Sequence, residues 1–321
     1  MKRDNRKYRH SYNETRQGII YFDNDDDAQP APDLNDKDSG GKHATAAAGN
    51  DDKSTWPMQF ASFGNSRQGS LIDAGVDMTH VFHDLAQNGI SPSMVKGIIL
   101  THDHSDHVRY VYRIVRQYTH IHIYCTPKLM NGLLRHHNIS RRVKDYQEPI
   151  FKEIPFHLAG MTITAFETSH DATDNMGFMI EGGGHRFVVG TDMGMITPRA
   201  DYYMRQAEYL MIESNYDRVM LDEGHYPEYL KNRVRAEKGH LDNKMAAQFV
   251  GQIYSPGLKY VFLCHLSNDN NTPEIALSTM RAALESSGAT VGDASFAPGQ
   301  RDRDVQLYAL PRYETSTWFV L

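Results

Sequence analysis

The sequence predicts a mixed α/β fold in which two mixed β-sheets pack face to face and helices cover their outer surfaces. From Trp56 onward, short apolar runs typical of strands alternate with longer segments of helical periodicity. Several strand-like runs follow one another as hairpins instead of forming strict β-α-β repeats, which favours two mixed sheets over one parallel sheet. A length of 321 residues allows a substantial core.

The elements are predicted in chain order from these patterns. MQFASF and SLIDAG are two strands joined by a turn through Gly64, Asn65 and Gly69, and VFHDLAQNGI is a helix that ends at Gly89. VKGIILTHDH is a strand that leads into a histidine-rich loop, followed by a helix (VRYVYRIVRQY), a strand (HIHIYC) and a helix (KLMNGLLRHH). Further strands are MTITAFETSH, GFMIEGGGHRFVVGTDMG, AEYLMIESNY and KYVFLCHLS, the last between the helices NKMAAQFVGQIY and TPEIALSTMRAALESSG.

The first 55 residues differ in composition from the rest of the chain. They are rich in Asp, Ala, Gly, Asn and Ser and show almost no apolar periodicity, so we expect an acidic, disordered leader with a lone strand at 18–22. The predicted organisation is therefore a leader at 1–55 and one folded domain at 56–321.

Composition restricts the functional classes. The net charge of −6 argues against a generally basic nucleic-acid coat but allows a local basic groove. No run approaches the roughly 18 apolar residues of a membrane helix, and the charged N-terminus does not resemble a secretory signal. Cys125 and Cys264 lie in apolar runs, which predicts buried free thiols and a cytoplasmic protein.

The strongest functional signal is the heptapeptide THDHSDH, which directly follows the apolar run GIIL. Its spacing, H-x-H-x-D-H, places His102, His104, Asp106 and His107 in one loop at a strand end. Imidazole nitrogen suits zinc, and carboxylate oxygen suits zinc, manganese or iron. We expect His102 and His104 to face one metal ion, and Asp106 and His107 to face a second.

Three more candidate ligands each follow an apolar run, namely His170 after TITAFET, Asp192 after HRFVV and His265 after KYVFL. A single His or Asp after a strand is usually a loop or capping residue. Combined with the first motif, these residues complete two sites, one of His102, His104 and His170 and one of Asp106, His107 and His265, with Asp192 bridging. The cofactors predicted are two divalent metal ions, Zn or Mn.

This ordered set resembles the metallo-β-lactamase superfamily, and the LIDAG segment resembles the first motif of that superfamily. The resemblance implies that Asp73 supports the metal loop without binding metal. Residues 57–310 more closely resemble the YycJ/WalJ family, through THDHSDH, TSHDATDNMGF, GTDMG, IESNYD, YPEYLKNRV, GHLDN and LCHLSNDNNTPE. That family implies a cytoplasmic metal-dependent nuclease with 5′-to-3′ exonuclease activity on DNA.

The chain departs from the family pattern in three places. A Gly/Ser-rich loop that usually precedes LIDAG is missing, the acidic leader is extra, and Asp242 stands where Ser is commoner. The missing loop puts substrate approach in doubt.

For hydrolysis of a phosphodiester, the two metals would supply an activated water and neutralise charge on the phosphate. We predict that His240 assists the leaving 3′-oxygen and that Asp106 is catalytic as well as a ligand. The candidate phosphate contacts near His240 are Lys231, Arg233, Arg235 and Asn243, and the alternative is a solvated helix face with a capping histidine. A second basic cluster, Arg135, Arg141, Arg142 and Lys144, either extends the groove or is a solvated surface.

The sequence leaves two other functions open. One is another hydrolase on the same fold that acts on a thioester, a lactone, a β-lactam or a small phosphodiester, because the ligand set does not select the substrate. The other is an inert metal-binding regulatory protein. The basic segment and GHLDN favour a phosphodiester, and the resemblance to the YycJ/WalJ family implies nucleic acid, in particular DNA, as the substrate. No membrane partner is expected, and protein partners are not predicted.

Overall fold

The computed structural model describes residues 68–295 and 299–312 in full, with Ser316 and Phe319. It describes the backbone alone at 19–22, 59–63 and 320. The predicted disorder of the leader therefore lies outside the described residues, apart from 19–22, and so do Gly64 and Asn65 of the predicted turn.

Two β-sheets form the centre of the fold. Among the described residues, the first sheet has the strand order β15-β1-β2-β3-β4-β5-β6 and the second has the order β13-β14-β12-β11-β10-β9-β8-β7. The strands of the first sheet are β1 (Ile19–Phe22), β2 (Gln59–Phe63), β3 (Gly69–Ile72), β4 (Val95–Ile99), β5 (His122–Cys125), β6 (Gln147–Pro149) and β15 (Phe319–Val320). Those of the second are β7 (Phe156–Leu158), β8 (Met161–Glu167), β9 (Met176–Gly182), β10 (His185–Gly190), β11 (Tyr209–Glu213), β12 (Tyr260–Cys264), β13 (Val291–Gly292) and β14 (Val305–Ala309).

Helices connect these strands on their outer sides. They are α1 (Met78–Gln87), α2 (Ser105–Val108), α3 (Val111–Gln117), α4 (Pro127–Leu133), α5 (Pro198–Met204), α6 (Arg218–Glu223), α7 (Glu228–Arg235), α8 (Asn243–Ile253) and α9 (Pro273–Ser286), with 3-10 helices at Pro92–Met94 and Arg141–Tyr146. None in the described part of the chain is long and apolar enough to cross a membrane.

Several helix starts follow from the local sequence. Thr-Pro begins three of them, because the Thr126, Thr197 and Thr272 hydroxyls each accept a hydrogen bond from a first-turn amide and the proline that follows fits the first helical position. Asp242 caps α8 by accepting a hydrogen bond from the amide of Met245. The departure from Ser therefore keeps the capping function, since both side chains serve at that position.

Apolar residues alternate along the central strands of the second sheet and supply two cores. On β12, Phe262 belongs to the core between the sheets, whereas Val261 and Leu263 belong to the core under α8 and α9. The first core also takes Leu71, Ile98 and Ile123 from the first sheet. The predicted two-sheet sandwich flanked by helices is therefore confirmed, and Cys125 and Cys264 are buried free thiols, as predicted.

The predicted strand and helix patterns agree with most of these elements. Residues 19–22 of the segment predicted as a lone strand form β1, which is not isolated because it pairs in parallel with β2 and β15. Gly69, expected in a turn, opens β3, which pairs antiparallel with β2. The short elements β6, β7, β13–β15 and α5–α7 were not predicted, because their few residues carry too little periodicity.

Candidate metal centre

The candidate ligands meet at one edge of the sandwich because the strands that precede them run in the same direction. β3 and β4 are parallel neighbours, and so are β10, β11 and β12. β8 is antiparallel to β9, which is antiparallel to β10, so β8 also ends at this edge. Side chains just beyond the carboxyl ends of these strands therefore project into a common space.

The loop after β4 carries the first group of ligands. His102 is buried, Asp106 and His107 lie in α2, and the carbonyl of His107 accepts a hydrogen bond from the amide of Ala74. Gly75 permits this close contact, because a Cβ at that position would lie 1.3 Å from the carbonyl oxygen of Asp106. The glycine of LIDAG thus allows the chain after β3 to pack against the metal loop.

Asp73 holds this loop by three hydrogen bonds. Its carboxylate accepts from the amide and the hydroxyl of Thr101, both at 2.8 Å, and lies 2.7 Å from Nδ1 of His107. Nε2 of His107 is then the nitrogen available to a metal. This supporting position is the one that the family resemblance implied for Asp73.

The second sheet supplies the remaining candidates. Nδ1 of His170 lies 2.9 Å from the carbonyl oxygen of Gly239, so its Nε2 faces His104, whose Nδ1 is 3.2 Å away. Asp192 lies between the two sheets, with Oδ2 3.1 Å from Nε2 of His102 and 3.0 Å from Nε2 of His107. Its other oxygen, Oδ1, lies 2.8 Å from Nδ1 of His265.

All seven residues predicted as ligands therefore meet in one place. Donor atoms of His102, His104 and His170 lie within 4.8 Å of one another, and so do those of Asp106, His107 and His265. Asp192 approaches both groups. Donor atoms of Asp192 lie as close to those of His102 and His107, and also to those of Glu213, His240 and His265, so the groups overlap around Asp192. The division into two sites stays a prediction.

The donor set fits metal ions on two observations. Nε2 of His102 and Nε2 of His107 are buried and form no hydrogen bond among the described residues, although a carboxylate oxygen of Asp192 lies close to both. A buried polar nitrogen without a partner is costly, and a cation between nitrogen and carboxylate would satisfy it. Mixed imidazole and carboxylate donors are those of zinc and manganese sites.

The pKa values of two candidate ligands, His170 and His265, are shifted in opposite directions by their surroundings. Burial lowers the pKa of His170 to about 4, so its imidazole is neutral at neutral pH and able to bind metal. Burial also favours the neutral form of His265, but the carboxylates of Asp192 and Glu213 outweigh it and raise the pKa to about 9. Divalent cations would offset the same negative charge.

Three residues of the site, namely two candidate ligands and the supporting Asp73, adopt a left-handed backbone conformation. The φ angles are 63° at Asp73, 51° at Asp192 and 59° at His265. They are half of the six non-glycine residues with positive φ in the described part of the chain. Because this conformation costs free energy outside glycine and asparagine, its concentration here indicates that the site is held in place by its surroundings.

Sequence reasoning did not predict Glu213, the last residue of β11. Its side chain is fully buried, with Oε1 2.8 Å from Nδ1 of His240 and 2.6 Å from Nδ1 of His265. Oε2 accepts hydrogen bonds from the amides of Met193 and Leu241. Burial would raise the pKa of Glu213, but His240 and His265 outweigh it and lower the pKa to about 2. The only sequence signal was its place in IESNYD.

Two more aspartates of the site region were not assigned from the sequence. The carboxylate of Asp103 accepts hydrogen bonds from the amide and hydroxyl of Thr173, which joins the metal loop to the segment after His170. Asp171 lies 3.4 Å from Nε2 of His104 and accepts a 2.7 Å hydrogen bond from Nε of Arg233.

The candidate ligands open into a cleft of about 870 Å³. Its lining includes His240 and Arg233 from the segment around α7, and Ser105, Asp106 and His136 from the segments that follow β4 and β5. His240, predicted to be catalytic, therefore lies within the cleft, with its ring centre 5.0 Å from that of His170.

Three of the four predicted phosphate contacts do not line this cleft. The amino group of Lys231 donates a hydrogen bond to the carbonyl oxygen of Asp222. The guanidinium of Arg235 is paired with the carboxylates of Asp222 and Glu228. The side chain of Asn243 is buried and hydrogen-bonded to those of Ser214 and Asn271. We therefore do not retain Lys231, Arg235 and Asn243 as phosphate contacts. Sequence spacing did not predict these partners because Asp222 precedes α7 and Asn271 follows β12.

Comparison with known proteins identifies the family. A family model described as a β-lactamase superfamily domain matches residues 70–265, more than half of the chain and every candidate ligand. This chain belongs to the metallo-β-lactamase superfamily.

The fold resembles two solved structures. One is the metallo-β-lactamase fold protein YhfI of Bacillus subtilis, with a TM-score of 0.54 and 14% identity, over 79% of this chain and 87% of YhfI. The other is Zn²⁺-bound PqqB of Methylobacterium extorquens, with a TM-score of 0.55 and 18% identity, over 70% of this chain and 81% of PqqB.

Two curated relatives place the chain more closely within the superfamily. Exodeoxyribonuclease YycJ of Bacillus anthracis is 30% identical over 232 residues, which are 72% of this chain and 86% of the relative. Exodeoxyribonuclease WalJ of Streptococcus pneumoniae serotype 2 is 29% identical over 228 residues, 71% of this chain and 84% of the relative. The resemblance to the YycJ/WalJ family predicted from the sequence motifs is confirmed.

Proposed function

We propose that this protein is a metal-dependent nuclease that cleaves phosphodiester bonds of DNA, with 5′-to-3′ exonuclease polarity. The observation that carries the proposal is the convergence of seven candidate ligands, five of which line one cleft together with His240 in this superfamily fold. The names of the YycJ and WalJ relatives, which match this chain over most of their length, support DNA as the substrate. The cytoplasmic location stays a prediction.

The proposed ligands divide into two sites. His102, His104 and His170 would hold one divalent ion, Asp106, His107 and His265 would hold the other, and Asp192 would contribute to both sites. Zinc and manganese both suit these donors. When bound, the two ions supply an activated water and neutralise charge that develops on the phosphate.

The chain itself prepares the leaving oxygen. With a pKa of about 2, Glu213 is ionised at neutral pH and accepts a hydrogen bond from Nδ1–H of His240. This bond fixes the ring. In the imidazolium form Nε2 also carries a proton, and transfer of that proton to the departing 3′-oxygen leaves a neutral imidazole that is still bonded to Glu213. Arg233, held by Asp171 at the cleft wall, is the remaining predicted cation that lies where a substrate phosphate enters.

The proposal is tested with purified protein reconstituted with Mn²⁺ or Zn²⁺, a 5′-labelled linear duplex and a covalently closed circular duplex. We expect short 5′-labelled products from the linear DNA, no cut in the circle, and loss of turnover with EDTA that either metal reverses. His104→Ala should abolish cleavage, whereas His137→Ala, at an exposed histidine, should retain it.

Other outcomes would contradict specific parts of the proposal. A nicked circle would indicate an endonuclease, and faster cleavage of RNA would replace DNA as the substrate. If protein that carries two metal equivalents cleaves neither nucleic acid, the nuclease proposal fails and the thioester, lactone and regulatory alternatives become the ones to test.

A further inference from the structure

An unusually basic segment begins beside the cleft. The chain as a whole has 34 Lys and Arg residues against 40 Asp and Glu, yet residues 109–144 contain eight Lys and Arg and no Asp or Glu. All eight side chains are exposed. We call this set the basic surface: Arg109, Arg113, Arg116, Lys128, Arg135, Arg141, Arg142 and Lys144.

The topology places these residues in one outer layer. β4, β5 and β6 are consecutive parallel neighbours in the first sheet, so the connections through α3 and through α4 are both crossovers of the same direction. Such crossovers are right-handed and therefore lie on the same side of a sheet. α3 also packs against the 3-10 helix Arg141–Tyr146. The cations of α3 and of residues 135–144 consequently share the outer side of the first sheet.

This surface is continuous with the cleft. Ser105 and Asp106, which line the cleft, open α2, and Arg109 lies at the other end of that short helix. His136 lines the cleft and is adjacent to Arg135 in the chain. The basic surface thus begins at one wall of the site and extends away from it.

Most of these cations have no carboxylate partner. Among the residues that the structure describes at 68–295 and 299–312, no ion pair is formed by five of the eight: Arg109, Arg116, Arg135, Arg141 and Lys144. Two others have long, exposed ion pairs, Arg113 with Asp77 at 4.0 Å and Arg142 with Asp145 at 3.9 Å. The two arginines of α7 are paired, by contrast. Arg233 is paired with Asp171, and Arg235 is paired with Asp222 and Glu228. Positive charge left unpaired in an acidic protein is available to an external polyanion.

We propose that the basic surface binds the phosphate backbone of duplex DNA behind the end that enters the cleft. This inference rests on the proposed nuclease function and adds where the uncleaved part of the substrate lies. Duplex DNA carries one charge per about 1.7 Å of its axis, so a row of exposed cations meets many phosphates without reading sequence. The arginines are suited to this contact because the guanidinium binds phosphate through two parallel hydrogen bonds.

The test removes four unpaired cations together, as Arg116→Gln, Arg135→Gln, Arg141→Gln and Lys144→Gln. The matched control removes four exposed cations elsewhere, as Arg186→Gln, Lys244→Gln, Lys259→Gln and Arg303→Gln, so both variants change the net charge equally. Binding of the metal-loaded proteins to a phosphorothioate duplex of about thirty base pairs is measured by fluorescence anisotropy over a range of KCl concentrations. Circular dichroism and thermal melting establish that both variants are folded.

We expect the affinity of the four-fold variant for the duplex to fall at least tenfold at low salt, with the control within twofold of wild type. The slope of log Kd against log salt should decrease by about 0.9 for each phosphate that the variant no longer neutralises. Equal affinity and slope in the two variants would overturn the proposal. So would unchanged DNA binding combined with lost binding to anionic phospholipid vesicles, which would assign the surface to a membrane instead.

The two proposals fail in different ways. If wild-type protein neither binds nor cleaves DNA, the nuclease function itself is wrong. If wild type cleaves DNA and the four-fold variant binds like the control, only the basic surface loses its assigned partner.

Discussion

The loop that follows β4 supplies four candidate ligands within six consecutive residues, whereas the second sheet supplies three ligands from three separate strand ends. The first half is held by Asp73, which comes from the neighbouring strand β3. The second half is held by Glu213, by the carbonyl of Gly239 and by left-handed backbone at Asp192 and His265. One half depends mainly on a local motif, and the other depends on the packing of strands distant in sequence.

This difference implies that the two halves respond differently to substitution. Changes in the first half should act through one loop and its support by β3. Changes in the second half should act on single ligands whose positions depend on contacts between β10, β11 and β12. Asp192, which approaches histidines of both halves, should have the largest effect of all.

The largest expected effect is that of Asp192→Asn. Asparagine tolerates the left-handed backbone, so this variant removes the charge without disturbing the chain. We expect nuclease activity to fall by about three orders of magnitude, equivalent to about 4 kcal/mol of transition-state stabilisation. Metal content measured by mass spectrometry should also fall. If Asp192→Asn retains two metal equivalents and as much activity as the control variant His137→Ala, Asp192 does not connect the ligands of the two halves.

The next effect concerns the support of the first half. In Gly75→Ala, the new Cβ would collide with the carbonyl oxygen of Asp106, so the metal loop must shift. We expect the free energy of unfolding to decrease by about 3 kcal/mol in urea titrations. Gly257→Ala is the control, because its nearest neighbour atom would be 3.5 Å away. Equal stability of the two variants would contradict the close contact between Gly75 and the loop.

Glu213→Gln tests the support of the second half. It removes the charge that positions His240 and His265, and we expect kcat to decrease about 10- to 100-fold. Glu223→Gln, at an exposed glutamate, should have no effect. The double variant with His240→Gln should lose less than the product of the two single losses, because part of the effect of Glu213 passes through its hydrogen bond to His240. Independent, multiplied losses would mean that Glu213 does not act through His240.

The smallest effect comes from a link between the two sheets. Asp174, in the second half, accepts a 2.5 Å hydrogen bond from the hydroxyl of Thr126 at the end of β5 and a 2.9 Å bond from Lys152. Burial would raise the pKa of Asp174, but Thr126 and Lys152 lower it below its ordinary value. The ionised form therefore stabilises the fold above the ordinary pKa, and this stabilisation is lost as the pH falls through the lowered folded value.

We accordingly expect Asp174→Asn to decrease the free energy of unfolding at pH 7 by about 1 to 2 kcal/mol. The difference from wild type should narrow as the pH falls below the ordinary aspartate pKa of about 3.9 and through the lowered folded value. Urea titrations at several pH values measure this, with Asp145→Asn at an exposed ion pair as the control. If the difference in the free energy of unfolding between Asp174→Asn and wild type does not depend on pH, the charge of the Asp174 carboxylate is not its cause.

The same contrast explains what the sequence could predict. The H-x-H-x-D-H motif lies in one loop, so spacing alone indicated four ligands, and apolar alternation indicated most strands. Glu213 is a single carboxylate at the end of an apolar strand and has no local pattern of its own. Its role arises only when β11 brings it beside His265, whose strand lies about fifty residues later in the chain.

Local sequence patterns also did not predict which charged side chains form ion pairs. The basic residues before His240 were expected to meet phosphate, but Arg235 is paired with Asp222 and Lys231 is bonded to the carbonyl of the same residue. Arg233 is paired with Asp171, from the loop after β8. Residue types in sequence show where cations are frequent, but only the fold shows which of them already have an anionic partner.

The left-handed backbone at Asp73, Asp192 and His265 also limits how this centre can change during evolution or redesign. Most amino acids at these positions would carry a conformational penalty in addition to the loss of their chemistry, whereas asparagine and glycine would not. Aspartate codons differ by a single nucleotide from those of both asparagine and glycine, but only asparagine also keeps the size of the side chain, so the least disruptive first step away from activity at positions 73 and 192 is to asparagine. Descendants that had lost catalysis would then keep the shape of the site while losing its charge, and a search for inactive relatives should begin with that substitution.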